Sequence, residues 1–219
     1  MPLLDEKTRN DVSALLADLA SPVKIALFTQ AIECQYCKET REIVEEIASL
    51  SDWITVEVLD FEADQDRARS YQVDKIPAIV MLGKDDQDYG VRFYGIPSGY
   101  EFSSLLHDIK AIAAGPTVSE LSPETLNYLE QLEQDIHLQV FVTPTCPYCP
   151  RAVILAHALA IASDRIRADM VEATEFPHLS MKYNVMGVPR TVINETQFAE
   201  GAVPEHMLLD QLQTILSDG

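Results

Sequence analysis

The sequence predicts an α/β protein built from two tandem copies of one unit, each a central mixed β-sheet flanked by helices. Three observations carry that reading. The four cysteines among 219 residues form two C-x-x-C pairs, Cys34-Gln35-Tyr36-Cys37 and Cys146-Pro147-Tyr148-Cys149, offset by 112 residues. The same offset places Tyr71 on Tyr183, Val73 on Val185, Ile76-Pro77 on Val188-Pro189 and Val80 on Val192, with no gap from residue 34 to residue 80. An offset sustained over such a span marks an internal duplication. Short apolar runs also alternate with helical periodicity in both halves, the pattern of a sheet with helices packed on it.

The elements follow in order. Asp5 to Leu19 reads as an opening helix, and Ser122-Pro123-Glu124 opens its counterpart, with Ser as cap and Pro at the first helical position. Residues 23–29 and 137–143 are β-branched and apolar runs, hence strands. A helix follows each C-x-x-C: Ile43, Val44, Ile47 and Leu50 recur at helical spacing in the first half, and Val153, Ile154, His157, Ala158 and Ile161 in the second. Strands near 54–60 and 166–172, short helices near 64–72 and 175–184, and strands near 78–82 and 190–194 come next. Further strands near 90–94 and 197–200 and closing helices near 100–113 and 204–216 complete each copy. Ala113-Ala114-Gly115-Pro116 ends one pattern and begins the next, which sets the units at residues 1–115 and 116–219. No low-complexity linker separates them, so the units are expected to pack together.

Composition narrows the function classes. The formal charge is −19, with 47% hydrophobic and 23% charged residues. Residues 1–115 hold 21 acids against 11 bases and residues 116–219 hold 14 against 5, so the excess is shared and there is no acidic tail. Such a surface repels nucleic-acid phosphates and anionic lipid headgroups. No run of eighteen apolar residues exists, and the first dozen residues carry charges where a secretory peptide needs an apolar core. A cytoplasmic protein without nucleic-acid or membrane partners is the expectation.

A C-x-x-C at a strand-to-helix junction places the first sulfur at a helix N-terminus, where free N–H groups and the macrodipole favour the thiolate. Cys34 and Cys146 are then the nucleophiles, and Cys37 and Cys149, one turn on, resolve the mixed disulfide. Zinc is disfavoured, because 108 residues lie between Cys37 and Cys146, far more than separate the two halves of a structural zinc site. Purely structural disulfides are disfavoured by the expected reducing compartment and the small loop closed. No resident metal or cofactor is expected beyond the two cysteine pairs.

On these residues each half resembles a thioredoxin-fold unit, and the whole chain resembles the glutaredoxin-like protein disulfide oxidoreductases, which fuse two such units with a C-x-x-C in each. The resemblance implies that Pro77 and Pro189 are cis and face the sulfurs. It also implies that Ile76 and Val188 offer backbone to an extended substrate. Tyr36 and Tyr148 join them as candidate substrate contacts. Protein disulfides are the implied substrates, with a thioredoxin reductase and a peroxiredoxin as implied partners. Reduction, oxidation and rearrangement all stay open, since direction depends on the partners' potentials.

Two other readings share the sequence. The N-terminal electron-relay module of an alkyl hydroperoxide reductase flavoprotein is also a doubled thioredoxin fold, but its first unit has usually lost the C-x-x-C. A non-catalytic binding or chaperone module is the other. Arg151 and Arg190 are candidate positive charges for the second site, and Lys38, Arg41 and Lys75 for the first. The five histidines show no ligand spacing and are expected to serve surface or core packing. Trp53 is expected to cap the first core.

Overall fold

In the computed structural model, which describes residues 3–217, the first unit comprises α1 (Glu6–Leu15), β1 (Val23–Thr29), α2 (Cys37–Ala48), β2 (Ile54–Asp60), α3 (Gln65–Ser70), β3 (Ala78–Leu82), β4 (Asp88–Tyr94) and α4 (Glu101–Ala114). The second comprises α5 (Pro123–Glu130), β5 (Ile136–Val142), α6 (Cys149–Ala162), β6 (Ile166–Glu172), α7 (Pro177–Lys182), β7 (Arg190–Ile193), β8 (Gln197–Glu200) and α8 (Glu205–Ser217). Local chemistry sets several ends. Asp5 caps α1 by accepting from the Thr8 N–H, and Ser122 caps α5 by accepting from the Thr125 N–H ahead of Pro123. The first helix is shorter than its sequence pattern: it stops at Leu15, and Leu19, beyond it, is buried from the turn that follows. The sequence break at 115/116 lies in the segment between α4 and α5, where Gly115 takes φ +71° at the end of α4.

The two units share one sheet of eight strands in the order β2-β1-β3-β4-β6-β5-β7-β8. Each unit has its mixed sheet, and the units pack together by joining them: the last strand of the first unit pairs in parallel with β6, Val91 opposite Ala168 through Tyr94 opposite Val171. Pairing at the seam removes two exposed strand edges, each of which would otherwise present unpaired N–H and C=O groups. Because β3 runs antiparallel to both β1 and β4, and β4, β6 and β5 are parallel, β1 and β5 point the same way. Both C-x-x-C sequences therefore leave the sheet at one end. Four strand spacings, about 19 Å, separate the strands that carry them.

One apolar layer runs across both units. Val44 and Ile47 of α2, Leu105 and Ile109 of α4, and Val153 and Ala156 of α6 pack on Ile25, Leu27, Phe93, Leu138 and Val140 of the sheet. The opposite face packs under the short helices α3 and α7, through Ala68, Phe176 and Leu179 against Phe28, Tyr94, Phe141 and Val171. Each fully buried side chain of this size contributes roughly 2 kcal/mol. Trp53 departs from its expected role: it is 42% exposed and serves the fold through its carbonyl, which accepts from the Val23 N–H at 2.9 Å.

The seam also buries charge. His157 of α6 is fully buried, with Nδ1 2.5 Å from Asp108 Oδ2 of α4 and its ring edge-on to Phe93 at 5.0 Å. Within the second unit, His137 of β5 lies 2.6 Å from Asp169 of the neighbouring β6. Burial would raise Asp169, but the His137 hydrogen bond and charge, with Arg167, hold it well below the usual carboxylate range. These two histidines are partners of buried carboxylates, a more specific role than packing. A buried ion is stable only when paired and hydrogen-bonded, so each pair ties its elements together.

Candidate active site

Each C-x-x-C closes at the start of its helix. Tyr36 and Tyr148 occupy the caps, Cys37 and Cys149 are the first helical residues, and both cysteine pairs are disulfides with Cα atoms 5.5 Å apart. Pro150 in the first turn of α6 suits a helix start, where its missing N–H has no partner to lose. The second cysteine is the more enclosed in both sites: Cys37 is 3% and Cys149 0% exposed, whereas Cys34 is half-buried and Cys146 is 7% exposed.

Each unit carries one cis proline, directly before β3 in the first and directly before β7 in the second. The Ile76–Pro77 and Val188–Pro189 bonds are both cis. Pro77 and Pro189 are buried, Ile76 and Val188 half-buried. At the second site the Val188 carbonyl oxygen lies 3.7 Å from Cys146 Sγ, and the Cys149 N–H donates to the same sulfur at 3.1 Å. That N–H is one of the free donors of the α6 N-terminus, the arrangement that stabilises a thiolate on Cys146. Cys34 lies in a more open loop, after Glu33 at φ +59° and the 72% exposed Ile32, and it has no such hydrogen bond among the described residues.

The tyrosines differ as well. Tyr36 is half-buried, with its hydroxyl accepting from Gln35 Nε2 at 3.2 Å, while Tyr148 is 64% exposed. Lys38 and Arg41 line a shallow cavity together with Cys34 and Cys37, and each is paired along α2, with Glu42 and Glu45. Lys75 lies 3.7 Å from the centre of the Tyr94 ring and pairs with Asp74. Arg151 is exposed on the first turn of α6. Arg190 does not serve the second site as its sequence position suggests: it is buried, pairs with Glu200 and stacks on Phe198 at 3.6 Å.

Sequence reasoning missed a group of acids near the second site, Glu172 and Glu101 buried and Glu175 half-buried. Glu172 ends β6 opposite Val142 and is 2% exposed; it accepts from the Thr174 hydroxyl and the Glu175 N–H. Burial pushes the Glu175 carboxyl up to about 7, the Ile96 N–H pulls the other way, and the Glu172 charge adds to the rise. Glu101, at the start of α4, is also buried and is pushed up to about 7 by burial, against the Ser104 hydroxyl that donates to it. The 112-residue offset pairs Glu172 with Asp60, which is exposed. Only the seam makes them different, and no local pattern announces it.

A thioredoxin domain model matches residues 136–214. A protein disulfide oxidoreductase from Aeropyrum pernix k1 superposes with a TM-score of 0.87 and 30% identity, over 95% of this chain and 93% of that one. The chain belongs to the protein disulfide oxidoreductases. The NTD_N/C domain of alkylhydroperoxide reductase AhpF from Enterococcus faecalis (V583) gives a TM-score of 0.85 at 25% identity, over 95% of this chain and 99% of that one. An alkyl hydroperoxide reductase protein of Escherichia coli (strain K12) is 26% identical over 212 residues, 97% of this chain but 38% of that protein. The chain thus spans a little over a third of the length of the curated relatives it matches.

As a protein disulfide oxidoreductase with two thioredoxin-fold units, the molecule carries its redox chemistry in the two C-x-x-C disulfides. The sheet keeps the strands that carry them about 19 Å apart, too far for four sulfurs to share one tetrahedral metal with bonds of about 2.3 Å.

Proposed function

We propose that the protein exchanges disulfides with protein substrates in the cytoplasm, using Cys34 and Cys146 as attacking thiolates and Cys37 and Cys149 as resolving thiols. In the reducing direction the thiolate attacks one substrate sulfur, a mixed disulfide forms and the other substrate sulfur leaves as thiolate. The resolving thiolate then attacks the bound enzyme sulfur. The substrate leaves with two electrons and the enzyme pair is left as the disulfide. The observation that carries this reading is the repeated placement of a disulfide at a helix N-terminus in a unit that holds a cis proline, with Val188 of the second unit against Cys146 Sγ. Ile76–Pro77 and Val188–Pro189 supply backbone for an extended substrate segment, flanked by Tyr36 and Tyr148.

Cys146–Cys149 is assigned most of the reductive turnover, because Cys149 N–H and the α6 N-terminus favour the Cys146 thiolate. The spacing of β1 and β5 argues against direct sulfur-to-sulfur exchange between the two pairs, so traffic between them passes through a partner. The test is turnover in an insulin-type disulfide reduction assay with Cys34→Ser, Cys146→Ser and the double variant. Undiminished turnover in the double variant would overturn the proposal.

A second reading is an electron relay between a thioredoxin-type reductase and a peroxiredoxin. The likeness to the alkylhydroperoxide reductase domain favours it. Peroxide consumption in a reconstituted reductase–peroxiredoxin mixture, dependent on Cys146 and faster than insulin reduction, would select it.

A further inference from the structure

We propose that residues Gly95–Tyr100 of the first unit are a positioning strap for the second redox centre, acting through the loop that carries Cys146. The inference rests on the assignment of Cys146–Cys149 as a redox pair and adds how that pair is held. The segment leaves β4 at Tyr94, enters α4 at Glu101, and grips the second unit at two places. At one end, the Ile96 N–H donates to Glu175 Oε1 at 2.6 Å. Gly95, at φ +91°, lies so close that an added Cβ would stand 2.7 Å from Glu172 Cβ and 2.8 Å from Glu175 Oε1. At the other end, the Tyr100 N–H donates to the Pro144 carbonyl at 3.0 Å. Gly99, at φ +60°, leaves no room for a side chain: its Cβ would fall 2.1 Å from Pro144 O and 2.8 Å from Pro144 C. At Gly99 the contact falls on the Pro144 backbone and at Gly95 on Glu172 Cβ, atoms that cannot swing away, whereas the Glu175 carboxylate beside Gly95 is the movable end of a side chain.

Pro144 precedes Cys146 by two residues, and the Cys146 N–H bonds back to Thr143 O at 3.1 Å, closing the turn around Pro144. The height at which Gly99 and Tyr100 hold Pro144 therefore sets where Cys146 Sγ lies between the Cys149 N–H and the Val188 carbonyl. Nothing equivalent acts in the reverse direction among the described residues. Gly201, the counterpart of Gly95 in the duplication, has a similar φ of +75° but no atom within 4 Å of an added Cβ. In the first site's loop, Ala31, Ile32 and Glu33 are all exposed. The first unit thus holds the loop that carries Cys146, whereas the second unit reaches the first at Gln72, where Arg167 donates to the carbonyl and side-chain oxygens, and makes no hydrogen bond to the loop that carries Cys34 among the described residues.

The test uses the full chain and resolves the two pairs by peptide mass spectrometry, measuring the midpoint potential of each pair in graded redox buffers and the alkylation rate of Cys34 and Cys146 after reduction. In Gly99→Ala, Cys146 alkylation at neutral pH is expected to slow by about tenfold, the size of one lost charge-assisted hydrogen bond, and the Cys146–Cys149 potential to shift. Cys34–Cys37 should titrate as in the wild type. Gly115→Ala, at a similar φ of +71° but meeting only the Tyr89 hydroxyl at 3.5 Å at the far end of α4, should leave both pairs unchanged. Should Gly99→Ala fail to fold, Tyr100→Pro removes the N–H that holds Pro144 at a residue whose φ of −67° already suits proline, and the same selective shift is expected. Second-pair values within twofold of wild type in the folded variants, or equal shifts in both pairs, would overturn the strap. A wild-type second pair that never titrates would instead overturn the functional assignment beneath it.

Discussion

Compared side by side, the two C-x-x-C sites share their spacing, a helix N-terminus and a cis proline, and differ in what surrounds them. The first opens on the free flank of the sheet, next to the edge strand β2, with Ile32 exposed before Cys34. The second is built against the other unit: β4 lies beside β6, α4 lies beside α6, and the Gly99–Tyr100 backbone meets Pro144. The same acid position is exposed as Asp60 and buried as Glu172. Duplication thus preserved the chemistry while the seam changed the environment of one copy. In a thiolate-based enzyme the environment sets reactivity.

The largest expected effect comes from removing the nucleophiles. Replacing both Cys34 and Cys146 by Ser should lower disulfide reduction at least about a hundredfold, and Cys146→Ser alone should cost more than Cys34→Ser. Equal losses in the two single variants, read from initial rates, would break the asymmetry between the sites. Loosening the seam comes next. Asp108→Ala leaves His157 buried without its carboxylate and should destabilise the chain by about 2–4 kcal/mol in urea unfolding. A loss under about 0.5 kcal/mol would show that the buried pair does not hold α4 to α6.

A smaller effect concerns pH. Glu101 and Glu175 are both raised from 4.5 to about 7. Between those values the folded state holds more protons than the unfolded one, so their contribution to stability is full below about pH 4.5 and is lost as pH rises through about 7. Unfolding free energy should fall across that window, and Glu101→Gln should remove on the order of 1–3 kcal/mol of the fall. A slope identical to wild type would contradict the burial assigned to Glu101. The smallest effect is expected at Tyr148, which is 64% exposed. Tyr148→Ala should change stability by less than about 0.5 kcal/mol while raising the KM for a protein disulfide.

Much of this was legible in the sequence because it is local. The strands at 23–29, 54–60 and 78–82 match β1, β2 and β3. The cysteine spacing fixed both helix starts, and the resemblance carried by Pro77 and Pro189 anticipated two cis bonds that the structure contains. What escaped depends on contacts far apart along the chain. Asp108 with His157, Ile96 with Glu175 and Tyr100 with Pro144 join elements of different units, and each partner read alone looks like an ordinary surface or core residue. Chain position and the resemblance both put Arg190 near the second site, yet its guanidinium turns to Glu200 and Phe198 on the neighbouring strand. The duplication itself hid the shared sheet, because copies of one unit carry no local mark of how their edges meet.

Trapping the mixed disulfide tests the central assignment most directly. With Cys37→Ser and Cys149→Ser combined in the reduced full chain, a disulfide-bonded protein substrate should be captured covalently on Cys34 and Cys146, more rapidly on Cys146, as read by peptide mass spectrometry. No adduct on either cysteine, under conditions in which the wild type turns over, would contradict the account.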